Sequence, residues 1–260
     1  MRRPTVTECR AALVSAPPTE LPALIARFKG DERAGVIAAV RSAATRLERH
    51  RRERERLAAL GAIERGLRSV GYTCVAGVDE VGRGALAGPL TVAAVILPPS
   101  ATIEGLDDSK RLTPASRERV AELVRQTAVG VSIAHVPATD IDSSGIQASL
   151  RSAVEEALSA LRPAPDHLLM DGRPLGEMPV PETAVVGGDA TCAAIAAASV
   201  VAKVTRDALM LRYAETFPLY GFDVNKGYGT SDHIRAIATH GPCEIHRRSF
   251  APCTSTMPLF

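Results

Sequence analysis

The chain has 260 residues, and 46% of them are hydrophobic, so it is long enough to bury a sizeable core and too apolar to be disordered. Aromatic residues make up 3% and tryptophan is absent, which argues against a function that needs several base-stacking side chains. The net charge of +2 conceals an asymmetry: residues 1–70 hold 15 Lys and Arg against 8 Asp and Glu, whereas the remainder holds 16 against 21. The basic part can approach a polyanion, while the acidic part needs metal ions to hold one.

The first 70 residues are predicted to form a separate, basic, helical region. Pro17 and Pro18 separate a short first helix from the next segment, and Asp31 is a candidate N-cap for a long helix with apolar residues at helical spacing. Arginine and glutamate alternate over residues 46–56 of that helix. The run fits a solvated helix with i,i+4 ion pairs and also fits a basic face that contacts a nucleic acid backbone, and the sequence leaves both open.

From residue 72 onward the pattern changes to alternating strands and helices. Strands are predicted at residues 73–79, 90–97, 129–136, 167–170 and 183–186. Helices are predicted at residues 113–127, from Ser143 or Ser144 to Leu161, at 189–213 and at 231–240. This order predicts an α/β domain over residues 71–260, with a mixed sheet flanked by helices and a C-terminal helical segment.

The most informative stretch lies at the end of the first predicted strand, where Asp79 and Glu80 precede the turn Gly82-Arg83-Gly84. Two carboxylates at a strand end suit Mg²⁺ or Mn²⁺, because these hard cations prefer oxygen ligands. The glycines allow backbone N–H groups to come close to a ligand, and an arginine between them suits a phosphate. Together these features predict phosphodiester chemistry.

Two further acids lie at element ends. Asp171 ends the fourth predicted strand, and Asp189 follows two glycines and opens the long helix. Sites in α/β proteins lie at the carboxyl edge of the sheet, so the four acids are expected to meet there, and two divalent cations would relieve their repulsion. Taken alone, Asp171 could simply begin a turn and Asp189 could simply cap a helix.

The segment 82–87 also fits the G-x-G-x-x-A pattern of a dinucleotide-binding loop. That pattern requires a helix to begin at the loop, so that the helix N-terminus faces the pyrophosphate. Here Gly88 and Pro89 lead into a strand rich in Val and Ile, and the two acids before the loop would repel a pyrophosphate. The sequence therefore disfavours this alternative.

The cysteine pattern indicates a reduced protein. The five cysteines lack C-x-x-C spacing, and Cys74 and Cys192 lie in apolar runs, so neither a structural zinc site nor a disulfide is expected. No apolar segment is long enough to span a membrane, and the prolines near residue 17 interrupt any signal-peptide core. We therefore expect a cytoplasmic protein, with a monomer as the default.

Taken together, these residues resemble the signature of bacterial ribonuclease HII. The similarity covers about residues 72–252 in the family's order, and residues 1–70 more weakly resemble the N-terminal extension of some members. It is carried by residues 79–84 and 87–89, Asp108-Ser109-Lys110, Met170-Asp171-Gly172, Gly188-Asp189-Ala190, residues 198–207, Tyr220-Gly221, residues 225–230, His233 and residues 246–250.

The resemblance implies a ribonuclease H-like fold and an endonuclease that hydrolyses the RNA strand of RNA–DNA hybrids. It also implies cleavage on the 5′ side of a single ribonucleotide embedded in duplex DNA, leaving 3′-hydroxyl and 5′-phosphate ends, in ribonucleotide removal. Asp79, Glu80, Asp171 and Asp189 would hold two Mg²⁺ or Mn²⁺ ions.

The resemblance also implies the nucleic acid contacts. Gly82, Arg83 and Gly84 would read the ribose 2′-hydroxyl through the backbone, with Tyr228 packing at the same junction. The 2′-hydroxyl is the group that distinguishes RNA from DNA, so selectivity at this point is chemically sensible. The side chains expected to contact phosphates are those of Ser109, Lys110, Lys203 and Arg206.

The chain departs from the family at Gly187, where a lysine is common before the Gly-Asp pair. The change removes a cation beside the predicted metal site, so the orientation of Asp189 is open. A non-catalytic binding module on the same fold is the main alternative function. The four acids argue against it, because carboxylates that face phosphates weaken binding in the absence of metal ions.

Overall fold

This computed structural model describes residues 3–256, so the outermost residues of both predicted regions, 1–2 and 257–260, lie outside the described part. The chain forms two compact units, Met1–Ala58 and Ala59–Phe260. The second unit begins before the predicted boundary near residue 70, and its helix Ala62–Ser69 packs on its first strand.

The first unit is built from the helices α1 (Val6–Ser15), α2 (Leu21–Phe28) and α3 (Ala34–Leu60). Thr5 and Glu8 form a capping box at the start of α1, which satisfies backbone donors that would otherwise lack partners. The buried core of the unit is Cys9, Leu13, Leu21, Phe28, Val36 and Ala43. The long helix begins at Ala34, so Asp31 is not its N-cap, and the Asp31 carboxylate instead accepts hydrogen bonds from Arg33.

The second unit contains a five-stranded mixed sheet flanked by helices. Its strands are β1 (Val75–Val81), β2 (Leu90–Ile96), β3 (Gly130–Val136), β4 (His167–Asp171) and β5 (Glu182–Val185). Its helices are α4 (Ala62–Ser69), α5 (Pro114–Thr127), α6 (Ala138–Ser144), α7 (Ile146–Ala160), α8 (Gly188–Thr191), α9 (Ala193–Thr216), α10 (Phe222–Asn225) and α11 (Ser231–His240), with short 3-10 helices at Pro218–Tyr220 and Cys253–Thr256.

The strand order is β3-β2-β1-β4-β5. β1 pairs antiparallel with β2 and parallel with β4, and β4 pairs parallel with β5. The register aligns Val78 with Met170, so the next residue on each strand, Asp79 and Asp171, lies at the same edge of the sheet. Parallel pairing of β1 with β4 thus brings together two acids that are far apart in sequence.

The two faces of β1 are buried against different helices. Val75 packs with Ala194 and Ile195 of α9, whereas Ala76 and Val78 belong to the core that includes α7. Neighbouring strand residues point to opposite faces, so the acids that follow these residues are divided between the two layers. β1 continues to Val81, two residues beyond its predicted end at Asp79, so Glu80 also lies within the strand.

Two helix predictions need correction. The predicted helix from Ser143 or Ser144 to Leu161 is divided at its start, because Ser144 ends a separate helix, α6, and α7 begins at Ile146 after Gly145, which has a φ of 80°. The predicted helix over residues 189–213 is also divided, because Cys192 has extended backbone angles between α8 and α9. Glycine's access to positive φ explains the first break.

Candidate active site

Asp79 and Glu80 lie at the carboxyl end of β1 with their side chains in different layers. The Asp79 carboxylate is 6% exposed and accepts a hydrogen bond from the Glu80 N–H at 2.8 Å. Ser199, on α9, also bonds to Asp79. Glu80 instead lines a cleft of about 460 Å³ together with Asp171, Gln147 and Arg173.

Asp171 and Asp189 are linked through the backbone. The Gly188 N–H donates to Asp171 Oδ1 at 2.7 Å, so the residue before Asp189 is tied to the end of β4. Gly187 has a φ of 65°, a left-handed conformation that glycine adopts without strain. Asp189 Oδ2 lies 2.7 Å from Lys110 Nζ, so Lys110 supplies the cation that the resemblance led us to expect from position 187, where this chain has glycine.

Burial and mutual repulsion raise the proton affinity of the β1 carboxylates. Burial raises the pKa of Asp79 to about 7, and the neighbouring charges of Glu80 and Asp171 add to this, while the bond from Ser199 opposes it. Burial also raises the pKa of Glu80, with Arg83 opposing the shift. The hydrogen bond to Asp189 raises the pKa of Lys110. The site thus concentrates negative charge that a divalent cation would neutralise.

The donor set of this sheet edge fits hard divalent cations, since all four acids offer carboxylate oxygens. Within residues 3–256, no three His, Cys, Asp or Glu side chains are already grouped as a metal site. Each of the four carboxylates instead accepts from an N–H donor: Asp79 from Glu80, Glu80 from Arg83, Asp171 from Gly188 and Asp189 from Lys110. The Lys110 side chain is 76% exposed, so this ion pair can open at little cost and free an Asp189 oxygen.

The turn at residues 82–84 lies beside Tyr228, as the resemblance implied. The Gly82 N–H donates to the Tyr228 hydroxyl at 3.2 Å, and Gly82 has a φ of 93°. Gly84 is exposed and has open space around its Cα. No helix begins at this turn; the next regular element is β2, which confirms that the segment is not a dinucleotide-binding loop.

Three residues that were predicted to lie at phosphates carry a cationic group that is exposed or partly exposed. Arg83 is half-exposed and lies 3.4 Å from Glu80, while Lys110 is exposed beside Asp189. Lys203 lies 2.8 Å from Asp207 and stands over the Tyr228 ring, with its Nζ atom 6.0 Å from the ring centroid. Their cationic groups surround the acids and the turn.

Two other predicted phosphate contacts are placed differently. Arg206 is completely buried, and its guanidinium donates to backbone carbonyls, so it has no donor directed at a phosphate. Ser109 is 3% exposed, and its hydroxyl bonds to the Ser199 hydroxyl at 2.9 Å. Both side chains support the site from within, which the sequence did not reveal because neither residue lies in a pattern that predicts its burial.

Several contributing residues were not assigned a role from the sequence. Ser199 links Asp79 to Ser109, and Arg247 donates to the carbonyls of Arg83 and Gly88. The sequence signal for Arg247 was its place in the resemblance over residues 246–250. The structure buries Arg247 completely.

Comparisons of the sequence with known proteins identify its family. A family model described as Ribonuclease HII matches residues 76–253, and one described as Ribonuclease HII N-terminal domain matches residues 5–68. Ribonuclease HII of Moorella thermoacetica is 50% identical over 198 residues, which cover 76% of this chain and 96% of that protein. Ribonuclease HII of Bacillus licheniformis is 43% identical over 252 residues, which cover 97% and 98% of the two chains.

Solved structures show the same fold. Ribonuclease H2 from Pyrococcus horikoshii matches with a TM-score of 0.60 and 25% identity, covering 70% of this chain and 96% of that chain. The structure of the PCNA:RNase HII complex from Archaeoglobus fulgidus matches with a TM-score of 0.57 and 27% identity, covering 67% and 94%. The chain therefore belongs to the ribonuclease HII family and is a ribonuclease H, an enzyme that acts on RNA–DNA hybrids.

Proposed function

We propose that the enzyme hydrolyses the RNA strand of hybrids endonucleolytically and also cuts on the 5′ side of a single ribonucleotide in duplex DNA. The products would carry 3′-hydroxyl and 5′-phosphate ends, and the reaction would serve ribonucleotide removal from DNA. The observation that carries this proposal is the position of four carboxylates at one sheet edge, beside a turn whose Gly82 amide donates to Tyr228.

Asp79, Glu80, Asp171 and Asp189 are proposed to hold two Mg²⁺ or Mn²⁺ ions. When bound, such ions would activate a water and stabilise the leaving 3′-oxygen. The chain prepares for this by burying Asp79 and fixing it with Ser199, so that one carboxylate has a defined position. The exposed Lys110 is proposed to leave Asp189 as the site fills and to turn toward a backbone phosphate.

The turn is proposed to read the ribose through its backbone. The Arg83 and Gly84 residues are exposed, and within the described part of the chain their N–H groups have no hydrogen-bond acceptor. The Tyr228 hydroxyl accepts from Gly82 and retains its own proton, which can be donated to a 2′-oxygen. A deoxyribose would leave these donors without a partner, which penalises DNA at this position.

A binding-only protein is less well supported. Without metal ions, the acids of β1 and β4 would repel a phosphate backbone, and burial of Asp79 would serve no purpose in binding. The substrates proposed are hybrids and duplex DNA that contains a ribonucleotide, with Arg83, Lys110 and Lys203 at phosphates. In the part of the chain described here no helix is long and apolar enough to cross a membrane, and the expected monomer and cytoplasmic location stay predictions.

The test uses a labelled DNA duplex with one ribonucleotide, incubated with the enzyme and Mg²⁺ or Mn²⁺. We expect a cut immediately 5′ of the ribonucleotide, no cut in an all-DNA duplex and no cut with a chelator. A cut at another position would contradict the proposed role of the turn. A metal-dependent cut in long hybrids alone would confine the enzyme to hybrids and remove the single-ribonucleotide activity.

A further inference from the structure

Two arginines that make no ion pair lie directly behind the turn. Arg206, on α9, and Arg247, near the C-terminus, are both 0% exposed. Among the described residues neither guanidinium has a carboxylate within ion-pair distance, and their donors go to backbone carbonyls. Buried charges without a counter-ion are costly, so their presence here requires an explanation beyond packing.

Arg247 fixes the orientation of one peptide unit of the turn. Its Nη1 donates to the Arg83 carbonyl at 2.9 Å, while Nε and Nη2 donate to the Gly88 carbonyl. In a trans peptide the C=O and the following N–H point in opposite directions. Because the Arg83 carbonyl points inward to Arg247, the Gly84 N–H points away from the buried guanidinium, toward the exposed side of the turn.

Arg206 ties the same turn to the segment that carries Tyr228. Its three nitrogens donate to the carbonyls of Pro89, Ala87 and Lys226 at 2.9, 3.0 and 2.8 Å. Its guanidinium carbon also lies 5.3 Å from the centroid of the Tyr228 ring. One side chain therefore sets the separation between the segment after the turn and the aromatic ring beside it.

Gly82 and Gly88 leave the space that the Arg206 guanidinium occupies. A Cβ at Gly82 would lie 2.2 Å from Arg206 Nε, and a Cβ at Gly88 would lie 3.4 Å from Arg206 Nη2 and 2.4 Å from Met210 Sδ. The close approach of backbone to guanidinium is thus built into the sequence. Arg247 keeps its charge despite burial, which lowers its pKa only to about 10.

We propose that Arg206 and Arg247 are positioning residues for ribose selectivity, which hold the Gly84 amide and the Tyr228 hydroxyl at the spacing that one 2′-hydroxyl requires. This inference rests on the proposed reading of ribose by the turn. Arginine is needed because its planar fork serves several carbonyls at fixed angles, whereas lysine offers a single point of charge. The positive charge that the two guanidiniums place behind the turn also favours the approach of a phosphate to its outer side.

The test compares Arg247→Lys with a matched control, Arg68→Lys. Arg68 also donates to a backbone carbonyl, that of Leu97, but it lies beside the opposite edge of the sheet. Both variants are placed in an Asp79→Asn background, so that binding is measured without cleavage. The first readout is the ratio of Kd for an all-DNA duplex to Kd for the same duplex with one ribonucleotide. The second is kcat, measured for both variants in the enzyme that retains Asp79.

We expect Arg247→Lys to reduce the Kd ratio and kcat by roughly 10- to 100-fold each, with Arg68→Lys unchanged in both. A Kd ratio and kcat equal to those of the parent, in an Arg247→Lys protein with an unchanged melting temperature, would overturn the inference. If the Asp79→Asn parent itself binds both duplexes equally, it is the proposed function of the turn that fails. Should Arg247→Lys not fold, Arg206→Lys carries the same expectation and the same contradicting result.

Discussion

The arginines of α3 and the two arginines behind the turn differ in their exposure and in the groups to which they bond. On α3, Arg51 and Glu48 are 62% and 40% exposed, and they pair at a spacing of three residues along the helix. Arg206 and Arg247 are completely buried and bond to carbonyls from distant parts of the chain. Exposed pairs contribute little to stability because water and salt screen them, whereas buried guanidiniums fix a local geometry.

This difference separates residues that keep a helix soluble from residues that shape a site. The ion pairs of α3 join residues three or four positions apart on the same helix, as expected of a solvated helix. Among residues 3–256, no other side chain donates to the carbonyls that each buried guanidinium holds. Substitutions should therefore have large effects at the sheet edge and small effects on α3, and the following predictions test that gradient from its largest effect downward.

The largest effect is expected from Asp79→Asn. Asparagine keeps the shape of the side chain and can still accept from the Glu80 N–H, but it removes a buried negative charge and a metal ligand. We expect cleavage to fall by about 1,000-fold or more, while the melting temperature stays equal or rises. Single-turnover cleavage and thermal unfolding are the two measurements. A variant that still cleaves would remove Asp79 from the proposed metal site.

Gly82→Ala should be the next largest change. The substitution would place alanine at a φ of 93°, and its Cβ would lie 2.2 Å from Arg206 Nε. We expect a loss of about 2–4 kcal/mol in the free energy of unfolding, measured by urea titration. Gly84→Ala is the matched control, because nothing lies within 4 Å of the added atom. Equal stability of the two variants would show that Arg206 moves aside freely.

The buried pair His233 and His246 predicts a pH dependence. Their Nε2 atoms lie 3.0 Å apart, His233 Nδ1 bonds to the Tyr228 carbonyl, and His246 Nδ1 accepts from the Cys243 N–H. Burial, with repulsion from His233 and Arg248, lowers the pKa of His246 from 6.5 to about 4. Between these two values the unfolded chain binds more protons than the folded chain, so stability falls as the pH falls from 6.5 toward 4.

The size of this effect follows from the shift. The full shift corresponds to about 3 kcal/mol, measured as the difference between urea unfolding at pH 7.5 and at pH 4.5. Asp79 has a raised pKa, so its protonation stabilises the folded chain as the pH falls and opposes the effect of His246. The comparison is therefore between the pH dependence of the free energy of unfolding in the parent and in His246→Asn. We expect the free energy of unfolding of His246→Asn to fall much less over this pH range than that of the parent. An identical decline in both proteins would assign it to other groups.

The sequence predicted the local parts of this molecule well and the long-range parts poorly. The strand at residues 90–97 and the helix at 231–240 are confirmed as β2 and α11, because hydrophobic pattern and capping residues act within a few positions. The meeting of Asp79 with Asp171 depends on the parallel pairing of β1 with β4, whereas the sequence predicted only that acids at strand ends share the carboxyl edge of the sheet. The burial of Arg206 was not predicted because its partners are backbone carbonyls, which every residue has and which therefore give no sequence signal.

Removal of residues 1–58 tests the function of the N-terminal unit. Arg49 and Arg54 are exposed and have no ion pair within the described chain, so they remain available to a phosphate backbone. We expect the Kd for a hybrid to rise by about 3- to 10-fold with a smaller salt dependence, and kcat to persist. The cut belongs at 58, since Glu64 of α4 accepts from the Ala194 N–H at 2.7 Å. An unchanged Kd and salt slope would mark the unit as a structural or partner-docking region.

The smallest effect is expected from Glu48→Gln on α3. Glu48 pairs with both Arg51 and Arg52, and the hydrogen bonds from these arginines lower its pKa to about 2. Because all three side chains are exposed and water screens the pairs, loss of the charge should change the free energy of unfolding only slightly, and less still at high salt. Urea unfolding at low and high ionic strength measures this. A larger, salt-independent loss would mean that the α3 pairs hold structure as the buried arginines do.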